Sequence, residues 1–525
     1  MSTPTSGGRR IARNILFNVV SQLWLTLLVI VSVPIVLHGI GAPAYGIFVL
    51  ASLVLGYTAL LDLGVTPAVI RSIAVHHSLG NIARLQSIIS TALSLLIILA
   101  VVVGSVLALI TPVVVDSVLH VPAGLRSDAR FVLYVAAAGF ACNMVLLLFV
   151  AVAQGLQRLD LFASRTLALG TATALAQIVT VKLGYGLRGL ALVTITINII
   201  SLVVFTLIAR GLMPGIHFRP GFDRSAFAEL LSFGAMKFIN QAAVQVIFHV
   251  DRLIVAAFLP IAAVSYYAVP VSICQKFILV QQAVNQAFFP AAAELHALKD
   301  SERLRRLYVS AAKLGVTALL PFMILPSILA WPLLAAWIGP GFANASAPIL
   351  AVLAVAYGIV AVSSVAGFAA DATGHPDWNA AFTVGSAILN LSLALVLVPR
   401  VGAIGAAYAL LVNGIALLLT INFAVQRWLI KLPVGTALRQ IVARPLLAGA
   451  GLLVYALLIE SHIRGALPVI AALVSGFAIY SGLALLAGVF DRRELAVARG
   501  LVGGAMAALR PRRPPLPDAV VKRPD

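Results

Sequence analysis

Apolar runs of twenty or more residues return along the whole length of this chain, and nothing constrains its fold more than they do. A helix needs about 20 apolar residues to cross roughly 30 Å of hydrocarbon. In that solvent no water is available to backbone amides and carbonyls, so only helices and closed barrels can span it. The runs lack the strict alternation of barrel strands. The expected fold is therefore all-α and integral to a membrane, with about fourteen transmembrane helices. The spacing places spans near residues 14–38, 43–66, 83–112, 130–153, 161–182, 187–209, 230–258, 262–289, 309–336, 345–370, 379–398, 403–425, 440–460 and 466–489.

Composition agrees: 62% of residues are hydrophobic and 10% charged, against roughly 25% charged in soluble domains. The formal net charge is +19. On a soluble protein that balance would suggest nucleic acid. Here the basic residues lie between and beyond the apolar runs, so anionic headgroups and insertion topology account for them, and no nucleic-acid partner is expected. Cys142 and Cys274 both fall inside apolar runs and give neither a disulfide framework nor a metal spacing. The first run is too long for a signal-peptide core and is read as an uncleaved helix.

An even number of spans puts both termini on one side. With the termini cytoplasmic, 27 of the 36 Lys and Arg residues fall in cytoplasmic segments, 6 in exterior segments and 3 within spans. That asymmetry is what the positive-inside rule expects. The resulting organisation is a basic cytoplasmic N-terminus over 1–13, spans 1–6 over 14–225, spans 7–12 over 226–430, and two further spans over 431–490. A basic, disordered cytoplasmic tail over 491–525 completes it.

The two large segments resemble each other at an offset of roughly 220 residues. Ala153-Gln154-Gly155 followed by Gly186-Leu187-Arg188-Gly189 parallels Ala372-Thr373-Gly374 followed by Gly402-Ala403-Ile404-Gly405. Asn81-Ile82-Ala83-Arg84 likewise parallels Ser301-Glu302-Arg303-Leu304. Two copies with the same orientation imply an axis along the membrane normal and a site between them.

Ionisable groups within spans carry insertion penalties of about 2.5–3.5 kcal/mol each, so their positions are informative. The seventh span contains Lys237, Asn240, Gln241, Gln245, His249, Asp251 and Arg252. Steps of three and four residues place Lys237, Asn240 or Gln241, Gln245, His249 and Arg252 along one stripe. The eighth adds Gln275 and Lys276, then Gln281, Gln282, Asn285 and Gln286. A basic wall of Lys237, His249, Arg252 and Lys276 would bind an anionic substrate in a wet cavity. Alternatively, Arg252 pairs with Asp251 or Asp62, and Lys237 snorkels to the cytoplasmic edge. Asp62, in Leu61-Asp62-Leu63-Gly64, is open to three readings: an ion-coupling carboxylate, a counter-ion or a solvated helix end. Asp251 is a candidate for the first two roles.

No phosphate-binding loop, HExxH, nucleophile elbow or Cys/His cluster occurs. An enzyme is not expected, nor a cofactor. Any energy input would come from a gradient, of protons or sodium for instance.

Three features resemble the polysaccharide-exporter (Wzx-like) branch of the MOP flippase superfamily. They are Arg13-Asn14 leading into a span with Pro34, Ala44-Tyr45-Gly46 with Leu63-Gly64, and Asp251 followed by Ser265-Tyr266-Tyr267 and Pro290. The resemblance covers roughly residues 10–460; His38 stands where many members carry a basic residue. It implies two pseudo-symmetric six-helix lobes plus two C-terminal helices, a MATE/MOP-like arrangement working by alternating access. It also implies an undecaprenyl-pyrophosphate-linked oligosaccharide as substrate, the bacterial inner membrane as location, and polysaccharide polymerase or assembly proteins as partners. A lipid II-type flippase and a MATE-type exporter are the alternatives, the latter disfavoured because organic cations call for acidic cavity walls.

Overall fold

Helix follows helix through the computed structural model, which describes the secondary structure of residues 6–490. The side chains of residues 1–20, 23, 59, 159, 233–237, 239, 240 and 434 lie outside the described set, as does all of 491–525. Residues 27–489 form one compact unit.

The helices are α1 (Ser6–Gly56), α2 (Thr58–Leu61), α3 (Val65–Ser78), α4 (Ile82–Val113), α5 (Arg126–Gly155), α6 (Leu159–Lys182) and α7 (Gly186–Leu212). Then come α8 (Arg224–Phe258), α9 (Ala262–Ala297), α10 (Ser301–Ile328), α11 (Ala330–Trp337), α12 (Pro340–Ala372), α13 (Pro376–Val401) and α14 (Ile404–Ala424). The chain ends its described course in α15 (Val434–Ala437), α16 (Arg444–Glu460) and α17 (Ala466–Leu486). The described residues contain no strand, only an isolated bridge between His120 and Pro260.

Twelve of these helices are long and apolar enough to cross a membrane, against the fourteen expected. Two places account for the difference. The first and second expected spans are the two arms of α1, which bends at Gly41 (φ 80, ψ 160). That backbone suits glycine, and Pro43, two residues on, has no N–H to carry the helix ladder backwards. The other place is α6, whose 24 residues are long enough but include Asp160, Arg165, Gln177 and Lys182. The second span also runs further than its expected end at 66. It breaks at Tyr57 and again at Asp62–Gly64, where Leu63 and Gly64 take positive φ, and continues as α3 to Ser78.

The same turn geometry recurs in the two halves of the chain. Asn81 Oδ1 accepts from Arg84 N at 3.0 Å, and Asp300 Oδ1 accepts from Arg303 N at 3.0 Å. Both caps satisfy one of the free donors at a helix start. The residues just before them, Gly80 and Lys299, both have positive φ (66° and 56°). Gly184 and Gly402 close the α6 and α13 helices with φ of 81° and 79°.

One apolar core joins α3, α4, α5 and α7 around Ile73, Ile88, Phe140 and Leu148. Another runs from α1 and α5 through α8 and α9 into α10, α12 and α14, with Tyr267, Phe277, Leu353 and Leu410 at its centre. At the end of the bundle where α1 bends, the two halves of the chain meet closely. Ser265 Oγ donates to Ala42 O at 2.6 Å, and the Ile261 amide donates to His120 O at 3.4 Å. Trp337 Nε1 donates to Ile30 O at 2.7 Å, and beside it, within the second half, the Tyr266 and Phe342 rings pack tilted by 56° with centroids 5.1 Å apart. This is the kink end.

At the opposite end the connector between α7 and α8 lies along α4. Gln86, Ser87, Ser90, Thr91 and Ser94 recur at helical spacing and so share one face. Gln86 bonds both backbone groups of His217 (2.6 and 2.7 Å), Ser94 bonds both of Gly221 (2.9 Å each), and Thr91 Oγ1 accepts from Asp223 N at 3.1 Å. Asp223 then caps α8 by accepting from Ser225 N and Ala226 N. Next to it, Arg84 donates to Glu229 at 2.7 Å, and Ser72 donates to the other Glu229 oxygen at 2.8 Å. Burial works to raise the Glu229 pKa. The hydrogen bonds from Arg84 and Ser72 and the charge of Arg84 outweigh it, so the carboxyl sits below its usual range.

Candidate functional site

A cavity of about 300 Å³ lies between the second arm of α1, α8 and α9. Gln245, His249 and Arg252 line it from α8; their steps of four and three put them on one face. Tyr45, Ser52, Gly56 and Tyr57 face them from α1, and Ser272 and Gln275 from α9.

Each wall has a local reason. Gly56 ends α1, and the last carbonyls of a helix lack partners within it. Gln245 Nε2 donates to the Gly56 carbonyl at 3.2 Å, tying α8 to the broken span. Arg252 is 8% exposed. It makes no ion pair among the described residues, and its Nε is buried without a hydrogen-bond partner. The Nδ1 of His249, one turn earlier, is also buried and unpartnered. A guanidinium held this way, in a cavity, has donors left for an anion.

Asp251 is the neighbour of Arg252, but successive helical residues point about 100° apart. Its carboxylate turns away from the cavity toward α9 and α13. There it accepts from Tyr267 Oη at 2.8 Å and Asn390 Nδ2 at 3.1 Å. It is 3% exposed and makes no ion pair among the described residues. The site thus holds both charges of adjacent residues without a direct pair between them.

The other expected site residues are dispersed. The Lys237 and Asn240 side chains lie outside the described residues, and Gln241 is exposed and not part of the cavity wall. Lys276 is half-buried and also outside the wall; Gln275, one position earlier, occupies the place. Asp62 makes no ion pair among the described residues. Its two oxygens accept from Gly64 N (2.8 Å) and Thr66 N (3.2 Å), which starts α3 after the break. Among the described residues no three His, Cys, Asp or Glu side chains gather as a metal site would require. Sequence reasoning missed the whole α1 wall. Its only signal was Gly56-Tyr57-Thr58 interrupting an apolar run, a glycine that marks a helix break.

Residues 40–347 match the sequence profile of the polysaccharide biosynthesis protein family, more than half of the chain. The chain belongs to the polysaccharide biosynthesis protein family. All three walls of the cavity fall within the matched stretch. A Shigella flexneri protein named "Putative O-antigen transporter" is 24% identical over 399 residues, covering 76% of this chain and 93% of its own. The solved structure of the lipid II flippase MurJ, in an inward closed conformation, superposes with a TM-score of 0.71 at 13% identity, covering 92% of this chain and all of that one. An inward-facing MATE family transporter of the MOP superfamily superposes with a TM-score of 0.62 at 15% identity, covering 80% of this chain and 95% of its own. This polysaccharide biosynthesis protein therefore has the MurJ- and MATE-like fold expected from the sequence, and it is a multi-pass membrane protein.

Proposed function

We propose that this protein is a flippase, carrying an anionic lipid-linked oligosaccharide, an undecaprenyl-pyrophosphate glycan, across the bacterial cytoplasmic membrane for surface polysaccharide synthesis. The observation that carries the reading is Arg252, more than nine-tenths buried, unpaired and lining a polar cavity. A buried cation without a partner is expensive in a membrane, and a pyrophosphate offers oxygens for its free donors. Among the described residues the wall contains no carboxylate, which speaks against an organic cation as cargo. Family membership and the named O-antigen relative point to a glycan rather than a small anion.

In this reading the segments before and after residue 226 act as two lobes that rock about the cavity. The basic excess of 27 against 6 supports an orientation with both termini cytoplasmic and the kink end outside. Asp251 supplies the counter-charge that lets Arg252 stay in the interior between cargoes, and is the residue at which an ion gradient would act.

The test is transport of a fluorescent undecaprenyl-pyrophosphate glycan in proteoliposomes. Arg252→Ala should lower the rate about a hundredfold, by roughly 3 kcal/mol of lost charge-assisted hydrogen bonding, with insertion unchanged. Arg252→Lys should fall between, since one point charge replaces a fork of donors. Wild-type rates in both variants would end the proposal.

A further inference from the structure

A second cavity, of about 360 Å³, adjoins the first, and Tyr57 lines both. The second lies among α2, α4, α5 and α8, with Leu61, Leu107, Ile110, Phe140 and Leu253 in its wall. On α8 the partition falls between consecutive residues: Arg252 faces the polar cavity and Leu253 the apolar one. Ile110 on α4 and Leu253 on α8 line this cavity and are 43% and 42% exposed, so its wall reaches the outer surface of the bundle on these two helices, both within expected spans.

The chemistry of this space is nearly uniform. Apart from Tyr57, its only polar side chain among the described residues is Thr111, whose hydroxyl already donates to Leu107 O in its own helix at 2.7 Å. Nothing there would reward a sugar or a phosphate. Tyr57, at the break between α1 and α2, is different. Its Oη is buried and has no hydrogen-bond partner. Buried hydroxyls are nearly always bonded, so an unpartnered one at the junction of a cationic and an apolar cavity marks where a ligand would present an acceptor.

We propose that the apolar cavity takes the hydrocarbon chain of the lipid whose phosphate is held by Arg252, and that Tyr57 donates to the phosphate oxygen nearest the chain. The cargo is then an amphiphile read at three points: a guanidinium for its charge, a phenol at the junction, and an apolar slot that lets its chain stay in the bilayer along α4 and α8. This rests on the reading of Arg252 as the anion site, and adds to it the path of the chain.

Two probes separate the parts: inorganic pyrophosphate and undecaprenyl pyrophosphate, each titrated into the full-length protein in nanodiscs. Ile110→Trp combined with Leu253→Trp fills the slot. It should reduce affinity for undecaprenyl pyrophosphate about tenfold or more while leaving inorganic pyrophosphate unchanged. Tyr57→Phe should weaken both probes about tenfold, the loss of one hydrogen bond to a charged group. Undiminished binding of the long-chain probe by the filled variant overturns the chain path. Undiminished binding of inorganic pyrophosphate by Arg252→Ala overturns the anion site itself, independently of the slot. Should the filled variant not fold, a benzophenone amino acid at position 253 gives the answer without filling anything. It should capture the chain of undecaprenyl pyrophosphate well above a control at Leu175 on α6, which is more exposed (53% against 42%); equal capture at both positions overturns the proposal.

Discussion

The two ends of the bundle are joined by different chemistry. At the kink end the halves of the chain meet mostly through backbone and small side chains, Ala42 with Ser265, Gly46 under the Ile261 carbonyl and His120 beside Pro260, with the Trp337 indole bonded to the Ile30 carbonyl alongside and no ion pair across the seam among the described residues. At the other end the link is polar and charged, with Arg84 and Glu229, Asp223, and the hydroxyl-rich face of α4 holding the α7–α8 connector. Close packing has almost no reach, since a gap of 0.5–1 Å already loses a quarter to a half of the attraction. A seam of that kind is either shut or open. Hydrogen bonds from side chains on a connector follow a moving partner through larger displacements. A protein that alternates between two states needs one of each: a seam that parts as a unit and a hinge that stays attached.

The largest expected effect is at the seam. A Cβ on residue 46 would lie 2.3 Å from the Ile261 carbonyl oxygen, a backbone atom that cannot swing away. Gly46→Leu should therefore hold the kink end open at a strain of about 1–3 kcal/mol, shifting the shut-to-open ratio by about 5- to 150-fold and stalling transport. Cysteines at His120 and Pro260, in a Cys142→Ala/Cys274→Ala background, would report it as loss of oxidative cross-linking. Cross-linking at the parental yield would break the contrast between the two ends.

The residues themselves show which parts of this arrangement the sequence could reveal. The repeated turns were legible in kind but not in register: the sequence pairs Asn81 with Ser301 and Gly186 with Gly402, whereas the residue that caps as Asn81 does is Asp300, and the glycine whose φ matches that of Gly402 is Gly184. The stripe of Gln245, His249 and Arg252 was visible because a polar row on an apolar span has few other uses. Lys276 was not resolvable in the same way. Polar residues occur on several faces of α9, and the one-residue step from Gln275 rotates a side chain out of the cavity. Asp62 was ambiguous because a carboxylate that caps a broken helix and one that carries an ion look alike in a string of letters. The serines of α4 were overlooked for a related reason: Ser and Thr in helices commonly bond their own backbone, so their spacing did not announce a docked connector. Tyr57 and the α1 wall depended on where a helix breaks, which is a tertiary outcome.

A smaller effect is expected at the hinge. Arg84 and Glu229 expose 25% and 31% of their side chains, so their ion pair is screened and contributes about 0.5–1 kcal/mol. Arg84→Ala should lower thermal stability slightly and slow transport a few-fold without stalling it. A double-mutant cycle with Glu229→Gln should recover a coupling of about that size. If Arg84→Ala stalled transport as fully as Gly46→Leu, the hinge would be a gate and the contrast would fail.

The smallest effect is the most specific to the connector. Asp223 is held down to about 2 from an ordinary 3.8, first by the Ser87 hydroxyl and then by the amides of Ala226 and Ser225. Glu229 is also depressed, from 4.5. A depressed carboxyl stabilises the folded arrangement fully above its unfolded pKa, and the contribution is lost as pH falls through the folded value. The connector should therefore hold from neutral pH down to about 4.5 and loosen between there and about 2. Limited proteolysis of the 213–223 segment across that window would detect the loosening. Asp223→Asn should expose the segment already at pH 7 and flatten the profile, because the amide keeps the size of the cap and loses its charge. The contacts that join the halves at the kink end, Ala42 with Ser265, Gly46 with Ile261 and His120 with Pro260, include no carboxyl, so the short-distance population of a spin-label pair at positions 120 and 260, a readout that needs no thiolate, should stay level over the same range. A parallel decline there would mean that the two ends are not independent, and that the hinge transmits its state to the seam.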